Sequence, residues 1–89
     1  MPVHKVAYDL NSPGKNYTPL LDYLKRCDSL HAQKSMWYVN TSLSAYDLAT
    51  ALSALVDRND TISVSQMFKG GWCLHNMAGA VTWLTARGV

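Results

Sequence analysis

The chain has 89 residues and a formal net charge of +2, from eight basic and six acidic side chains. Its hydrophobic share of 48% is typical of globular proteins and excludes a fibrous or largely disordered chain. The charge is too small to create the dense basic surface that makes nucleic-acid binding the default interpretation. No apolar run approaches the roughly 18 residues needed to cross a bilayer, so no membrane partner is expected.

Length and cysteine content predict one small cytoplasmic domain that spans residues 1–89. A domain of this size buries only about 60% of the surface of its unfolded chain, so dimerisation is a natural source of extra buried surface. Cys27 and Cys73 lack the C-x-x-C spacing, which favours a reducing compartment over a disulfide framework. No signal-peptide pattern is visible before the first strand pattern.

The first strand pattern, residues 3–10, ends in a carboxylate. Alternation places Val6 and Tyr8 on a face suited to helix packing, whereas Lys5, Ala7 and Asp9 share the opposite face. Because the turn-forming segment 11–14 follows, we expect Asp9 at the strand's exit, outside the helix-packed core.

Two helices and two strand regions are predicted next. Thr18-Pro19 is typical of an N-cap followed by proline, and the helix is expected to end near Asp28-Ser29. Residues 31–41 are rich in strand-forming side chains and are consistent with one strand or with two. Ser44 to Asp47 resembles a capping box that opens a second helix. Residues 61–68 alternate as a half-buried strand does.

The C-terminal part, residues 72–89, is predicted to be a loop followed by a third helix. Met77, Val81 and Leu84 recur at helical spacing, and Arg87-Gly88 is a typical helix end. Trp72 follows two glycines outside any regular pattern, so it is the aromatic side chain most expected to be partly exposed. The composition and periodicity therefore indicate an α+β domain.

Asp9 is the candidate metal ligand and catalytic residue. One carboxylate holds Mg²⁺ or Mn²⁺ poorly, because such sites generally use further carboxylates or substrate phosphates. Two copies related by a two-fold axis through the Asp9 face could share one hydrated cation. The alternative is that the Asp9 side chain caps the following loop through hydrogen bonds.

No other group of residues in the sequence is a strong candidate for a metal, phosphate-binding or catalytic site. No paired zinc spacing, phosphate-binding loop or nucleophilic triad can be assembled, and no small-molecule cofactor is expected. Lys5, Lys15 and Lys34 are the candidate nucleic-acid contacts, within a mild excess of basic residues in the first 34 positions.

The order of these motifs resembles the CRISPR-associated protein two family, and more closely the small bacterial and phage proteins called SinR-family. The resemblance rests on Val6-Ala7-Tyr8-Asp9-Leu10, on Gln33 to Val39, on the helix that begins at Leu43-Ser44, and on Asp57 to Asp60 before Ile62-Ser63-Val64. It covers residues 4–68.

The resemblance implies a ferredoxin-like βαββαβ sandwich with an additional C-terminal helix. It also implies a homodimer formed through the sheet, with the two Asp9 side chains near the dyad and with DNA or RNA as the partner. By position, Asp9 matches the metal-binding aspartate, Tyr8 the aromatic residue before it, and Ser35 the serine of the second strand region; Asn11 is a further neighbour of the site. The family's basic residues after the aspartate are matched only by Lys15.

Three functions remain open from the sequence. The first is a divalent-metal-dependent nuclease that uses Mg²⁺ or Mn²⁺ at Asp9. The second is a catalytically inactive dimeric interaction module of phage or defence-system origin, with a partner surface near Trp72 and the last helix. The third is a small toxin-like endoribonuclease.

Overall fold

The computed structural model describes residues 1–12 and 14–89, so Pro13 of the predicted 11–14 turn lies outside the described residues. Seven elements follow one another: β1 (Val3–Asp9), α1 (Thr18–Arg26), β2 (Asp28–Gln33), β3 (Met36–Asn40), α2 (Ala45–Ser53), β4 (Thr61–Gln66) and α3 (Ala78–Ala86). The predicted α+β class is confirmed.

The four strands form one sheet in the order β2-β3-β1-β4, in which every neighbouring pair is antiparallel. The central strand β1 pairs with β3 on one side and with β4 on the other. Asp9 lies opposite Thr61 at the end of the β1–β4 ladder. This register places the exit of β1 beside the start of β4.

The first face of the sheet is covered by α1 and α2. Leu20 and Leu24 of α1 and Leu48 and Leu52 of α2 are fully buried, because each helix repeats its leucines at a spacing of four and so directs them to one side. They pack on Val6, Tyr8, Trp37 and Val39 of the sheet. The alternation predicted for β1 is therefore correct on this face.

The second face carries a core of its own, which the sequence did not predict. Ala80 and Leu84 of α3 pack with Val3, Met36 and Tyr38 of the sheet, and the loop before α3 adds Trp72 and Leu74. Arg87 closes this layer, since its guanidinium binds Asp28 at 2.7 Å and stacks 3.7 Å above the Trp83 ring. The additional helix therefore covers part of the sheet face that carries Asp9.

The predicted end of α1 near Asp28-Ser29 is wrong, because the helix ends at Arg26. Cys27 has an extended backbone, and the Ser29 hydroxyl donates to the Leu24 carbonyl at 2.6 Å, which satisfies an acceptor at the helix terminus. Residues 28–40 then form two strands, β2 and β3, joined by a turn at residues 34–35. This settles the question of one strand or two.

The end of β4 and the buried face of α3 also differ from the predictions. β4 ends at Gln66, so Phe68 lies beyond the strand predicted over residues 61–68 and is 64% exposed. In α3 the buried positions are Ala80 and Leu84, while Val81 is 38% exposed. Both differences arise because packing against a neighbouring element, not local periodicity, decides which apolar side chains are covered.

Two helix termini form as the sequence predicts, the start of α2 and the end of α3. The Ser44 hydroxyl accepts a hydrogen bond from the Asp47 N–H at 3.0 Å, as a capping residue does. Gly88 has a φ of +82° and terminates α3 through bonds from Gly88 and Val89 to the carbonyls of Thr85 and Leu84. At α1 the N-cap is Tyr17 instead of Thr18, and its side chain makes no capping bond.

Among the described residues, no helix is both long enough and apolar enough to cross a membrane.

Candidate functional site at the exit of β1

The part of the second face that α3 leaves uncovered forms an open groove, which we call the Asp9 groove. Its volume is about 390 Å³, and its lining includes Lys5, Asp9, Ser35, Thr61 and Ser63. The Tyr8 N–H donates to the Ser35 carbonyl at 3.0 Å, which holds the β2–β3 turn beside the end of β1. Asp9 and Ser35, predicted to belong to one site, therefore line the same groove.

The Asp9 carboxylate is exposed and makes no hydrogen bond or ion pair with any described residue. Its main-chain carbonyl, by contrast, accepts a bond from the Asn11 side chain at 3.3 Å. The alternative in which the Asp9 side chain caps the following loop is therefore wrong, because Asn11 holds this turn instead. Asp9 is left free to contact a ligand or a second chain.

A polar cluster lies behind Asp9 and fixes the strand exit. Asp60 accepts hydrogen bonds from the Asn11 N–H at 2.6 Å, the Tyr17 hydroxyl at 2.7 Å and the Asp57 N–H at 2.8 Å. The Ser12 hydroxyl donates to Asp57 at 2.9 Å. These bonds tie the β1–α1 loop to the α2–β4 loop, so the position of Asp9 depends on residues nearly fifty positions away in the chain.

The two well-bonded carboxylates are held in their charged form. Burial alone would raise the pKa of Asp60, but the hydrogen bonds from Tyr17, Asn11 and Asp57 outweigh it and bring the pKa below its ordinary value. The bonds from Arg87 and Asn40 likewise lower the pKa of Asp28 at the other end of the sheet. Both carboxylates have a structural role, because their oxygens accept hydrogen bonds from other groups of the protein.

The other predicted site residues are spread more widely. Of the three candidate nucleic-acid lysines, Lys5 lines the Asp9 groove, whereas Lys15 lies in the β1–α1 loop and Lys34 in the β2–β3 turn, and neither lines it. Tyr8 is buried, and its hydroxyl accepts a bond from the Trp37 ring N–H at 3.2 Å. Trp72 is half-buried against the second core.

The described side chains of one copy of the protein do not supply enough ligands for a metal ion. Within residues 1–12 and 14–89, no three His, Cys, Asp or Glu side chains come close enough to hold one. Asp9 offers one carboxylate, and its groove neighbours offer only neutral oxygens. Mg²⁺ generally needs further carboxylate or phosphate ligands, so a cation here would require a second chain, a bound phosphodiester or both.

Sequence reasoning missed the Asp60 cluster, although its signal was present. Asp57 and Asp60 stand at the two ends of segment 57–60, and the sequence pattern assigns no role to Tyr17. Aspartates at both ends of a four-residue turn are typical of side chains that bind nearby main-chain N–H groups. The long-range partners could not be inferred, because nothing in the local pattern brings residues 11–17 to residue 60.

No protein-family model matches this chain, and comparison with solved structures finds no significant match. The resemblance to the CRISPR-associated protein two family thus rests on the residue pattern given above.

Proposed function

We propose that the protein is a homodimeric nucleic-acid-binding domain of ferredoxin-like fold, in which the Asp9 side chains of two copies hold one Mg²⁺ or Mn²⁺ ion against a phosphodiester. The observation that carries the proposal is the free, exposed Asp9 carboxylate in an open groove. The nearby Asp57 and Asp60 carboxylates are, by contrast, bonded to the protein.

The ferredoxin-like assignment is supported by the topology. Each half of the βαββαβ segment is a strand, a helix and a strand, both helices lie on one face, and the strands interleave in the order β2-β3-β1-β4. Such a sandwich leaves its second face available for association. Here α3 covers one part of that face and leaves the β1–β4 part, which contains Asp9, uncovered.

The chemistry of the groove suits a phosphodiester. Lys5 supplies a positive charge on the same strand and the same face as Asp9, four residues away, or about 13 Å at the strand rise. Lysine acts as a point charge that positions phosphates without reading sequence. A cation held by two carboxylates would polarise a phosphoryl oxygen and lower the pKa of a bound water, which is the chemistry of metal-dependent phosphodiesterases.

The test compares Asp9→Asn with Asp22→Asn, which removes an equal charge from the exposed side of α1. Calorimetric titration with Mn²⁺ should give one ion for two wild-type chains, no binding to Asp9→Asn, and unchanged binding to Asp22→Asn. Fluorescent DNA and RNA strands should be bound, and any cleavage should require both Mn²⁺ and Asp9. Equal Mn²⁺ binding and equal cleavage by wild-type protein and Asp9→Asn would overturn the proposal.

The catalytically inactive dimeric interaction module is the second candidate. It is favoured by the single carboxylate in the groove and by the absence, among the described residues, of a three-ligand acidic or His/Cys group. It predicts a dimer that neither binds Mn²⁺ with this stoichiometry nor cleaves nucleic acid. The same titration therefore separates the two functions.

A further inference from the structure

A second groove lies on the same face, at the far end of β4 from Asp9. Its volume is about 360 Å³, and it runs between the end of β4 and the segment Trp72–Leu74, with Lys5 and Tyr38 beneath. We call it the Trp72 groove. Its lining combines Lys5 with apolar side chains and, unlike that of the Asp9 groove, contains no carboxylate.

The wall formed by Trp72–Leu74 has unused hydrogen-bonding groups. Among the described residues, the main-chain groups of Trp72, Cys73 and Leu74 make no hydrogen bond, although all three residues line the groove. The ring N–H of Trp72 is also buried without an acceptor. Buried polar side-chain atoms in proteins are nearly always paired. The unpaired Trp72 ring N–H, beside main-chain groups that no other described residue bonds, therefore indicates a position where a further chain can bind.

The opposite wall exposes an aromatic side chain. Phe68 follows β4 and is 64% exposed, although it lines the groove together with Met67. Lys5 lies at the groove floor and Lys69 follows Phe68, and neither lysine has an ion-pair partner among the described residues. An occupant should therefore combine an apolar side chain with a carboxylate.

We infer that the Trp72 groove binds an extended, acidic and apolar segment of a partner protein. The segment would pair its main chain with Trp72–Leu74, as peptides do when they add to an unpaired main-chain edge. One of its apolar side chains would contact Phe68, and a neighbouring carboxylate would contact Lys5. A nucleic-acid strand is the alternative occupant, and protection of Cys73 distinguishes it from the peptide.

The first measurement uses the exposed thiol of Cys73, which lines the groove. In a Cys27→Ser background, Cys73 is the sole cysteine, and its alkylation by iodoacetamide can be followed by mass spectrometry. An acetylated octapeptide of alternating aspartate and leucine should slow alkylation at least about fivefold when it is saturating. The amides of residues 72–74 should exchange quickly with solvent in the free protein and slowly with the peptide bound.

The second measurement is the affinity of the same peptide, labelled with fluorescein. Phe68→Ala and Lys5→Gln should each weaken binding at least about fivefold, in the range measured for interface anchors. Their matched controls, Tyr46→Ala and Lys25→Gln, change an exposed aromatic of α2 and an exposed lysine of α1 and should leave binding unchanged. Asp9→Asn should also bind normally, so the outcome is independent of the proposed metal site.

Four outcomes would overturn the inference. The first is an unprotected Cys73 in the presence of the peptide. The second is equal binding of a peptide with lysine in place of aspartate. The third is protection of Cys73 by single-stranded oligonucleotides but not by the peptide. The fourth is protection that rises with protein concentration alone, which would show that a second copy of the chain covers the groove.

Discussion

The carboxylates of this protein differ in what they contact, and the difference separates structural from candidate functional residues. Asp28 is bonded to Arg87 and Asn40, and Asp60 is bonded to Tyr17 and two main-chain N–H groups. Asp9 has no such partner among the described residues. The role proposed for Asp9 therefore rests on this lack of a partner as well as on its position at the exit of β1.

Stability should fall in acid because of Asp28 and Asp60. Both have pKa values below the ordinary value when folded, so the unfolded chain binds more protons as the pH falls. Their contribution is present above about pH 4, the ordinary carboxyl range, and is lost as the pH falls through the folded pKa values. Urea unfolding from about pH 7 to about pH 3 should show this loss.

The matched variants are Asp60→Asn and Asp22→Asn. Asp60→Asn should be less stable than the wild type at neutral pH and should show a smaller decrease in acid, because one of the two shifted groups is gone. Asp22→Asn should follow the wild-type pH dependence. An Asp60→Asn protein with the full wild-type decrease would contradict this assignment.

His4 is a buried polar residue that the sequence did not single out. Its side chain is fully buried, and Nε2 donates to the Leu43 carbonyl at 2.8 Å, which links β1 to the loop before α2. His4→Leu should lower the free energy of unfolding by about 1–3 kcal/mol, because the Leu43 carbonyl loses its partner. His75→Leu, at an exposed loop position, is the control and should change stability by less than about 0.5 kcal/mol.

Helix α3 shows how packing modifies a periodic pattern. The spacing of Met77, Val81 and Leu84 correctly predicts a helix, but the buried face contains Ala80 and Leu84 instead of Val81. The helix is held at its end by Arg87, which bonds Asp28 and covers Trp83. This anchoring joins the C-terminal segment to the first residue of β2.

Two truncations in α3 measure this packing. Leu84→Ala should lower the free energy of unfolding by about 2–5 kcal/mol, because it leaves a cavity against Val3 and Tyr38. Val81→Ala should cost less than about 1 kcal/mol, since Val81 is 38% exposed. Similar losses for both variants in chemical denaturation would show that α3 is rotated from the orientation described here.

The assembled chain presents two different grooves on one sheet face, separated along β1 and β4 and sharing Lys5. The Asp9 groove offers a free carboxylate and hydroxyls, whereas the Trp72 groove offers apolar side chains and unpaired main-chain groups. Different variants test the two proposals, Asp9→Asn for the metal site and Phe68→Ala for the Trp72 groove.

Dimerisation itself should be visible in the unfolding of the protein. Because association stabilises only the folded chains, the unfolding temperature of a homodimer rises with protein concentration. We expect this rise for wild-type protein, together with a dimer mass by light scattering. A monomer mass and an unfolding temperature independent of concentration would contradict the homodimer and with it the shared Asp9 site.

Local residue patterns were sufficient to predict the kinds of elements and much of their orientation. Alternation in β1 placed Val6 and Tyr8 on one face, and the Ser44 cap and Gly88 marked helix ends, because these signals depend only on neighbouring residues. It also placed Asp9 at a strand exit.

Packing between distant segments, by contrast, decides which polar groups bond within the protein and which remain without a partner among the described residues. Asp60 bonds Asn11 and Tyr17, α3 covers part of the second face, and Phe68 is left exposed, all through contacts between segments far apart in the chain. Such contacts depend on how the elements pack, and the free energy of packing outweighs local preference. The free Asp9 carboxylate and the unpaired edge at Trp72–Leu74 are consequences of that packing.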